Sequence, residues 1–350
     1  MKNKIFGQKS GLRVSELALG TGNFGTSWGH GADAETSEKI FNRYLEAGGN
    51  FIDTADGYQN GESETLIGKF IADKRHDLVI SSKFSTGGSS MLTTGNSRKT
   101  IMHAVEQSLK RLGTDYLDIY WAHIADGQTP IEEILRAFDD LVRAGKIQYA
   151  GFSNYPAWQI ANASLLADLR GWAPIVGIQT EYNLIERAAD RELLPMAEAH
   201  GLGATFWSPL AGGTLTGKYR NNNPDAVSRQ QAWGGTLVKG ETGNRESQIL
   251  DALEAIAKDK DVTMLEVALA WVRQKHDHSG LSTVTLLGPR TEQQLIDNLK
   301  SLEVSLSTEE LQRLDFLSAI DLGSPHVMIA ESQQKIFGQS SGLIENKKFH

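Results

Sequence analysis

The chain has 350 residues, 40% apolar and 22% charged, with 35 Lys and Arg against 43 Asp and Glu, a formal net charge of −8. That balance argues against nucleic acid as a main partner, because duplex binding needs a basic face. The absence of cysteine removes disulfides, thiol nucleophiles and cysteine-based metal sites together. No apolar run approaches membrane-spanning length and the first ten residues lack a signal-peptide core, so a soluble, cytoplasmic protein is expected.

Lys4 to Phe6 and Leu12 to Val14, joined through Gly7 and Gly11, read as a β-hairpin ahead of the main fold. Leu17 to Gly20 is the first main strand. Its helix is capped by Asp33, buries Ile40, Phe41, Tyr44 and Leu45, and stops at Gly48-Gly49. Asn50 to Asp53 is the second strand, followed by a loop with Tyr58 and a helix from Glu62 to Ile71, its first-turn acids suited to the helix dipole. Leu78 to Lys83 is the third strand, and its helix carries Ile101, Val105, Leu109 and Leu112 on one stripe before Gly113. Tyr116 to Trp121 is the fourth strand and runs into His123. Thr129-Pro130-Ile131-Glu132 then combines a capping box with proline at the first helical position.

Ile147 to Phe152 is the fifth strand, with a helix from about Pro156 to Arg170, and Ile175 to Gln179 is the sixth. Gly203 to Trp207 is the seventh, followed by a Gly- and Asn-rich loop over about Gly212 to Asn244 and helices at Glu246 to Lys260 and Thr263 to Lys275. Thr283 to Leu287 is the eighth strand; Thr291-x-x-Gln294 opens its helix as a capping box, and Ser307-x-x-Glu310 starts one extra helix. Eight alternations with continuously apolar strands describe a parallel sheet buried on both faces, closed as a (β/α)8 TIM barrel. An open doubly wound sheet is the rival, but no G-x-G-x-x-G follows the first strand. Residues 1–330 are expected to form a single barrel domain, with 331–350 a tail. That tail holds an oddity: KIFGQKSGL (4–12) recurs as KIFGQSSGL (335–343).

Barrel enzymes draw catalytic groups from the C-terminal ends of several strands. Here those ends offer Asp53 and Tyr58, Lys83, and His123. Each alone has an ordinary structural reading, and Lys83 alone also suits a Schiff-base barrel. Together they suit proton transfer to a carbonyl oxygen. A phenol, with a pKa of about 10 in isolation, is lowered by a neighbouring ammonium. Asp53 can hold Lys83 charged, and His123 can polarise the substrate oxygen. No side chain is a hydride source, so a reductase needs a cofactor.

The motifs FIDTADGY (51–58), SSKF (81–84), DIYWAH (118–123), TPIEE (129–133), GKIQYAGFSN (145–154), IQTEYN (178–183), WSPLAGG (207–213) and GPRTEQQLIDN (288–298) stand in one order. With them the chain resembles the aldo-keto reductase family from Gly11 to about Leu317. The resemblance implies a barrel that reduces small-molecule carbonyls with NAD(P)H, with Tyr58 as general acid, Lys83 and Asp53 tuning it, and His123 orienting the carbonyl. It further implies that Ser153, Asn154 and Gln179 hold the nicotinamide carboxamide. Ser208, Leu210, Gly212 and Lys218 would follow the pyrophosphate. Gly288, Arg290, Gln294 and Asn298 would take the adenosine end, with Arg290 on a 2′-phosphate, so NADP(H) is the expected cofactor. Trp207 stands where many members have a stacking tyrosine, and, with Pro156-Ala157-Trp158, is similar to the aryl-alcohol-dehydrogenase and deoxysugar-reductase branches. Leu287-Gly288-Pro289 departs from the usual Pro-Gly-Ala. Trp28, Trp121, the loop from Phe84 to Gly95 and the loop after Gly213 are expected to set substrate choice. Because the family includes channel-associated subunits that bind NADP(H), a sensing role is the alternative.

Overall fold

The computed structural model describes residues 1–220 and 243–338. A short antiparallel hairpin of β1 (Asn3–Ile5) and β2 (Arg13–Ser15) precedes eight strands. These are β3 (Leu17–Gly20), β4 (Phe51–Asp53), β5 (Val79–Phe84), β6 (Leu117–Ala122), β7 (Ile147–Ser153), β8 (Ile175–Glu181), β9 (Gly203–Trp207) and β10 (Thr283–Leu287). They pair in parallel in chain order, and β10 returns to β3 to close the barrel. The (β/α)8 barrel with its N-terminal hairpin is therefore as the sequence implies, the runs of buried residues in β4, β5 and β10 being those of strands covered on both faces.

The helices form the outer ring: α1 (Ala34–Glu46), α2 (Glu62–Ile71), α3 (Arg98–Leu112), α4 (Ile131–Arg143), α5 (Ala157–Arg170), α6 (Leu193–Ala199), α7 (Asn244–Lys260), α8 (Met264–Gln274) and α9 (Glu292–Lys300). Two more, α10 (Thr308–Ser318) and α11 (His326–Phe337), follow the last repeat. Asp33 caps α1 through the Thr36 amide, and Ser307 with Glu310 closes a full capping box on α10. A second complete box, Thr263 with Glu266, starts α8. The start of α4 differs from expectation: Pro130 occupies the cap position and Thr129 does not cap. Its hydroxyl instead donates to Asp126 Oδ2, a closer acceptor on the loop from β6. At α9 only half of the expected box forms, because Gln294 Oε1 accepts from the Arg290 amide.

Two apolar layers flank the strands. Outside, helices cover the barrel; inside, Phe6, Ala18, Phe51, Val79, Ile119, Trp121, Val176 and Val284 fill it. The hairpin closes the N-terminal floor. Phe6, fully buried, lies edge-on to Phe51 and Trp121 and occupies space where a Cβ on Gly177 or Gly203 would stand at 2.5–2.7 Å. With the floor filled, the C-terminal mouth is left to ligands.

Candidate active site

At the mouth the chain departs from relaxed backbone. Among the described residues, non-glycine positive φ angles occur at Gln59, Asn60, Ser85, Asn154, Ser208, Ala211 and Asp261, and all but Asp261 belong to strand-end loops. Such conformations cost free energy and persist where surrounding contacts fix them.

Lys83, next to last in β5, is fully buried. Its ammonium donates to Asp53 Oδ2 at 2.5 Å, to the Thr54 carbonyl at 2.7 Å and to the Tyr58 hydroxyl at 3.3 Å. Asp53 Oδ1 accepts from Ser81 Oγ at 2.6 Å and from Gln179 Nε2 at 3.1 Å. A buried ion pair of this kind stands only because its remaining lone pairs and protons are bonded. Burial pulls the Lys83 pKa down, but the charges of Asp53 and Tyr58 outweigh it and the net direction is upward. Tyr58 opens a short 3₁₀ turn just before α2, held by the buried Gln59, whose amide bonds the Gly22 and His30 carbonyls and the Trp28 amide. The Tyr58 phenol is not lowered as the sequence implies. Lys83 does lower its pKa, but burial raises it more and Asp53 adds to the rise, so Tyr58 lies above its ordinary value.

His123 follows β6 and stands edge-on to Tyr58, ring centroids 5.9 Å apart. Burial, helped by Lys83, drops its pKa to about 3, so the imidazole is neutral at physiological pH. Its carbonyl accepts from Asn154 Nδ2 at 2.9 Å. Asn154 Oδ1 accepts from the Trp207 indole at 3.2 Å. The structure thus brings Asp53, Tyr58, Lys83 and His123 together.

From this cluster a groove with a cavity volume of about 460 Å³ runs outward. Its walls include Asp53, Tyr58, Gln179, Trp207, Ser208, Leu210, Gly212, Lys218, Gly288, Gln294 and Asn298. Ser153 ends β7 in register with Gln179, and the amide of Asn154, the next residue, donates to the Gln179 carbonyl at 3.2 Å. Lys218 lies across Gly213, where a Cβ would meet its Nζ at 2.8 Å. Arg290 stands half-buried beside Pro289, which lines the groove. Asn23, which the sequence did not single out, donates to the Gly288 carbonyl at 2.8 Å and joins two walls. The residues fit a dinucleotide: an aromatic and amide end near the buried lysine, glycine loops in the middle, and the N-terminus of α9 at the far end.

Trp28 faces the mouth, edge-on to Tyr58 at 6.3 Å. Trp121 does not. It is fully buried, pairs in register with Lys83 and Gly151, and fills the barrel against Phe6. A Cβ on Gly151 would come within 2.3 Å of its ring, so the indole lies over that glycine and not in a substrate pocket. Of the loops expected to set specificity, residues 221–242 lie outside the described residues. Among the described residues no group of His, Asp and Glu could hold a metal ion, and no helix is long and apolar enough to cross a membrane.

The aldo/keto reductase family profile matches residues 16–319. The chain is 36% identical over 321 residues to an uncharacterised oxidoreductase of Bacillus subtilis, covering 88% of this chain and 93% of that one. It is 31% identical to a putative aryl-alcohol dehydrogenase of Saccharomyces cerevisiae (94% and 89% covered) and 36% identical to a probable voltage-gated potassium channel subunit beta of rice, Oryza sativa (91% and 96%). The chain belongs to the aldo/keto reductase family of oxidoreductases, whose members act on small carbonyl compounds with a nicotinamide cofactor.

Proposed function

We propose that the protein is an NADP(H)-dependent carbonyl reductase in which Tyr58 is the general acid. The observation that supports this most is the 3.3 Å approach of the buried Lys83 amine to the Tyr58 hydroxyl while the same amine is bonded to Asp53. A reduced nicotinamide, when bound, supplies the hydride. The neutral His123 imidazole donates a hydrogen bond to the carbonyl oxygen and polarises it. Tyr58, held protonated by burial and by Asp53, gives its proton to that oxygen. The phenolate left behind is held by the Lys83 ammonium, which Asp53 keeps charged.

Ser153, Asn154 and Gln179 serve the carboxamide, and Trp207 offers an indole face to the ring. Ser208, Leu210, Gly212 and Lys218 follow the phosphates, while Gly288, Arg290, Gln294 and Asn298 take the adenosine end. The aromatic walls at Trp28, Tyr58 and Trp207 favour aryl aldehydes, with sugar-derived ketones and small dicarbonyls next; the yeast relative named as an aryl-alcohol dehydrogenase agrees.

The test is loss of NADPH absorbance with a panel of aryl, sugar and dicarbonyl aldehydes, run beside Tyr58→Phe. Turnover should fall about 10²–10⁴-fold in the variant, the range of one general acid, while NADPH still binds. Binding without turnover on the whole panel would favour the second reading, an NADP(H)-sensing subunit, to which the rice relative's name points. No NADPH binding would end both.

A further inference from the structure

We propose that Asn96 is a positioning residue for His123, its carboxamide fastening the loop between β5 and α3 to the backbone that carries the imidazole. This rests on the role of His123 given above. Asn96 is 1% exposed, and no role in the reaction follows from its place in the sequence. Its Oδ1 accepts from Ser85 Oγ at 2.5 Å, and its Nδ2 donates to the Ile124 carbonyl at 2.8 Å and to the Tyr155 hydroxyl at 2.9 Å. One acceptor and two donors are thus all engaged, and each bond reaches a different strand-end loop. The Asn96 backbone amide adds a fourth bond, to Asp126 Oδ2 at 2.9 Å.

The chain of contacts leads to His123. The His123 amide donates to the Phe84 carbonyl at 3.1 Å and to Ser85 Oγ at 3.3 Å. Asn154 Nδ2 holds the His123 carbonyl, and Asn96 holds the next carbonyl, that of Ile124. Ser85 has φ +119°, a region a serine rarely enters. Its contacts there include the Gly95 amide on its carbonyl at 2.9 Å, Asn96 on its hydroxyl, and the His123 amide on that same hydroxyl. The carboxamide's two donors go across to the segments that carry His123 and Asn154, so its reach is toward the site. Strain kept where it places a hydroxyl under the His123 amide is the pattern of a preorganised site.

Asn96→Asp keeps the size and the acceptor for Ser85 but sets a carboxylate against the Ile124 carbonyl. The expected result is a fall of about 10²-fold in kcat for an aldehyde, the scale of a 1 Å misplacement, with NADPH affinity retained. In a His123→Ala background the same substitution should change kcat little, because the group it positions is gone. An equal loss in both backgrounds would overturn the proposal, since a merely structural role adds to any other. Hydrogen–deuterium exchange gives a readout free of catalysis. Peptides over 122–126 should exchange faster in Asn96→Asp while those over 175–181 do not change; unaltered exchange at 122–126 would also overturn it. If Asn96→Asp does not fold, Ser85→Ala and Tyr155→Phe, which remove one bond each, carry the same cycle. A wild-type protein that reduces no aldehyde would refute the reading of the site and leave the exchange result to decide the positioning.

Discussion

Arg290 makes no side-chain hydrogen bond or ion pair among the described residues, although it stands at the end of the groove beside the N-terminus of α9. A guanidinium so placed is available to a phosphate. Arg290→Leu should weaken NADPH about 10–100-fold, the equivalent of a charged hydrogen bond of roughly 1.5–3 kcal/mol, and leave NADH nearly unchanged. Titration of tryptophan fluorescence with both cofactors checks it, and equal affinities in the unsubstituted protein would remove Arg290 from the role. His123 carries a second expectation. The unfolded chain takes up a proton on this ring near pH 6.5, while the folded one resists until about 3. Between those values the unfolded state binds more protons, so stability rises with pH across the window and is lost on acidification. His123→Asn should therefore lose less stability than wild type between pH 7 and 5 in urea unfolding. By the same shift, kcat/KM should show no limb from this imidazole between pH 5 and 8. The four strand-end residues could be read from the sequence because acid, phenol, amine and imidazole are unusual together where strands stop. Trp121 reads as a pocket residue because the layer below Lys83 is also aromatic, and depth inside a barrel has no signature along a strand.

At the scale of elements, what the sequence disclosed depended on how local the cause was. Asp33 and Ser307 cap helices through amides three residues on, and a one-turn interaction leaves a one-turn pattern. The same letters mislead when a loop residue competes, as when Asp126 draws the Thr129 hydroxyl away from α4. Tyr58 reads as a loop residue; its 3₁₀ turn, with Gln59 and Asn60 at φ +49° and +56°, depends on Gln59 reaching the loop after β3. The loop from Ser85 to Asn96 reads only as Gly- and Ser-rich, because the partners that shape it, Ile124 and Tyr155, come from later repeats. The same holds for Glu62, expected to serve the dipole of α2. Its Oε2 also accepts from the Thr26 and Ser27 amides and the Ser27 hydroxyl, fixing the loop that carries Trp28. Long-range side-chain bonds thus decide the mouth, and short-range ones decide the helices beneath it.

At the scale of the whole molecule, the repeated nonapeptide is a natural control on how much a local sequence determines. In its first copy Lys4 and Ile5 enter β1 and Phe6 is fully buried at the barrel floor. In the second, Lys335, Ile336 and Phe337 end α11, with Ile336 61% and Phe337 47% exposed; residues 339–343 of that copy lie outside the described residues. The glycine after each phenylalanine has positive φ in both copies, +72° at Gly7 and +68° at Gly338. The surroundings of that glycine differ. A Cβ on Gly7 would meet the Gly203 amide and the Val176 carbonyl at 2.8 Å, whereas one on Gly338 would meet nothing within 4 Å among the described residues. The floor of the barrel, assembled from β8, β9 and the hairpin, makes one copy structural; among the described residues nothing comparable covers the other. Phe6→Ala should accordingly cost about 3–5 kcal/mol, the range for emptying a buried aromatic site, and shift the urea midpoint without changing cofactor contacts at the opposite end. Phe337→Ala should stay within about 0.5 kcal/mol of wild type, as exposed substitutions do. Comparable losses from the two would mean that the second copy has a docking place of its own, and removal of 331–350 would then lower the melting temperature or the assembled mass. If only Phe6 matters, the tail is dispensable to the barrel, and the hairpin's work is to hold the floor shut so that the mouth is where ligands enter.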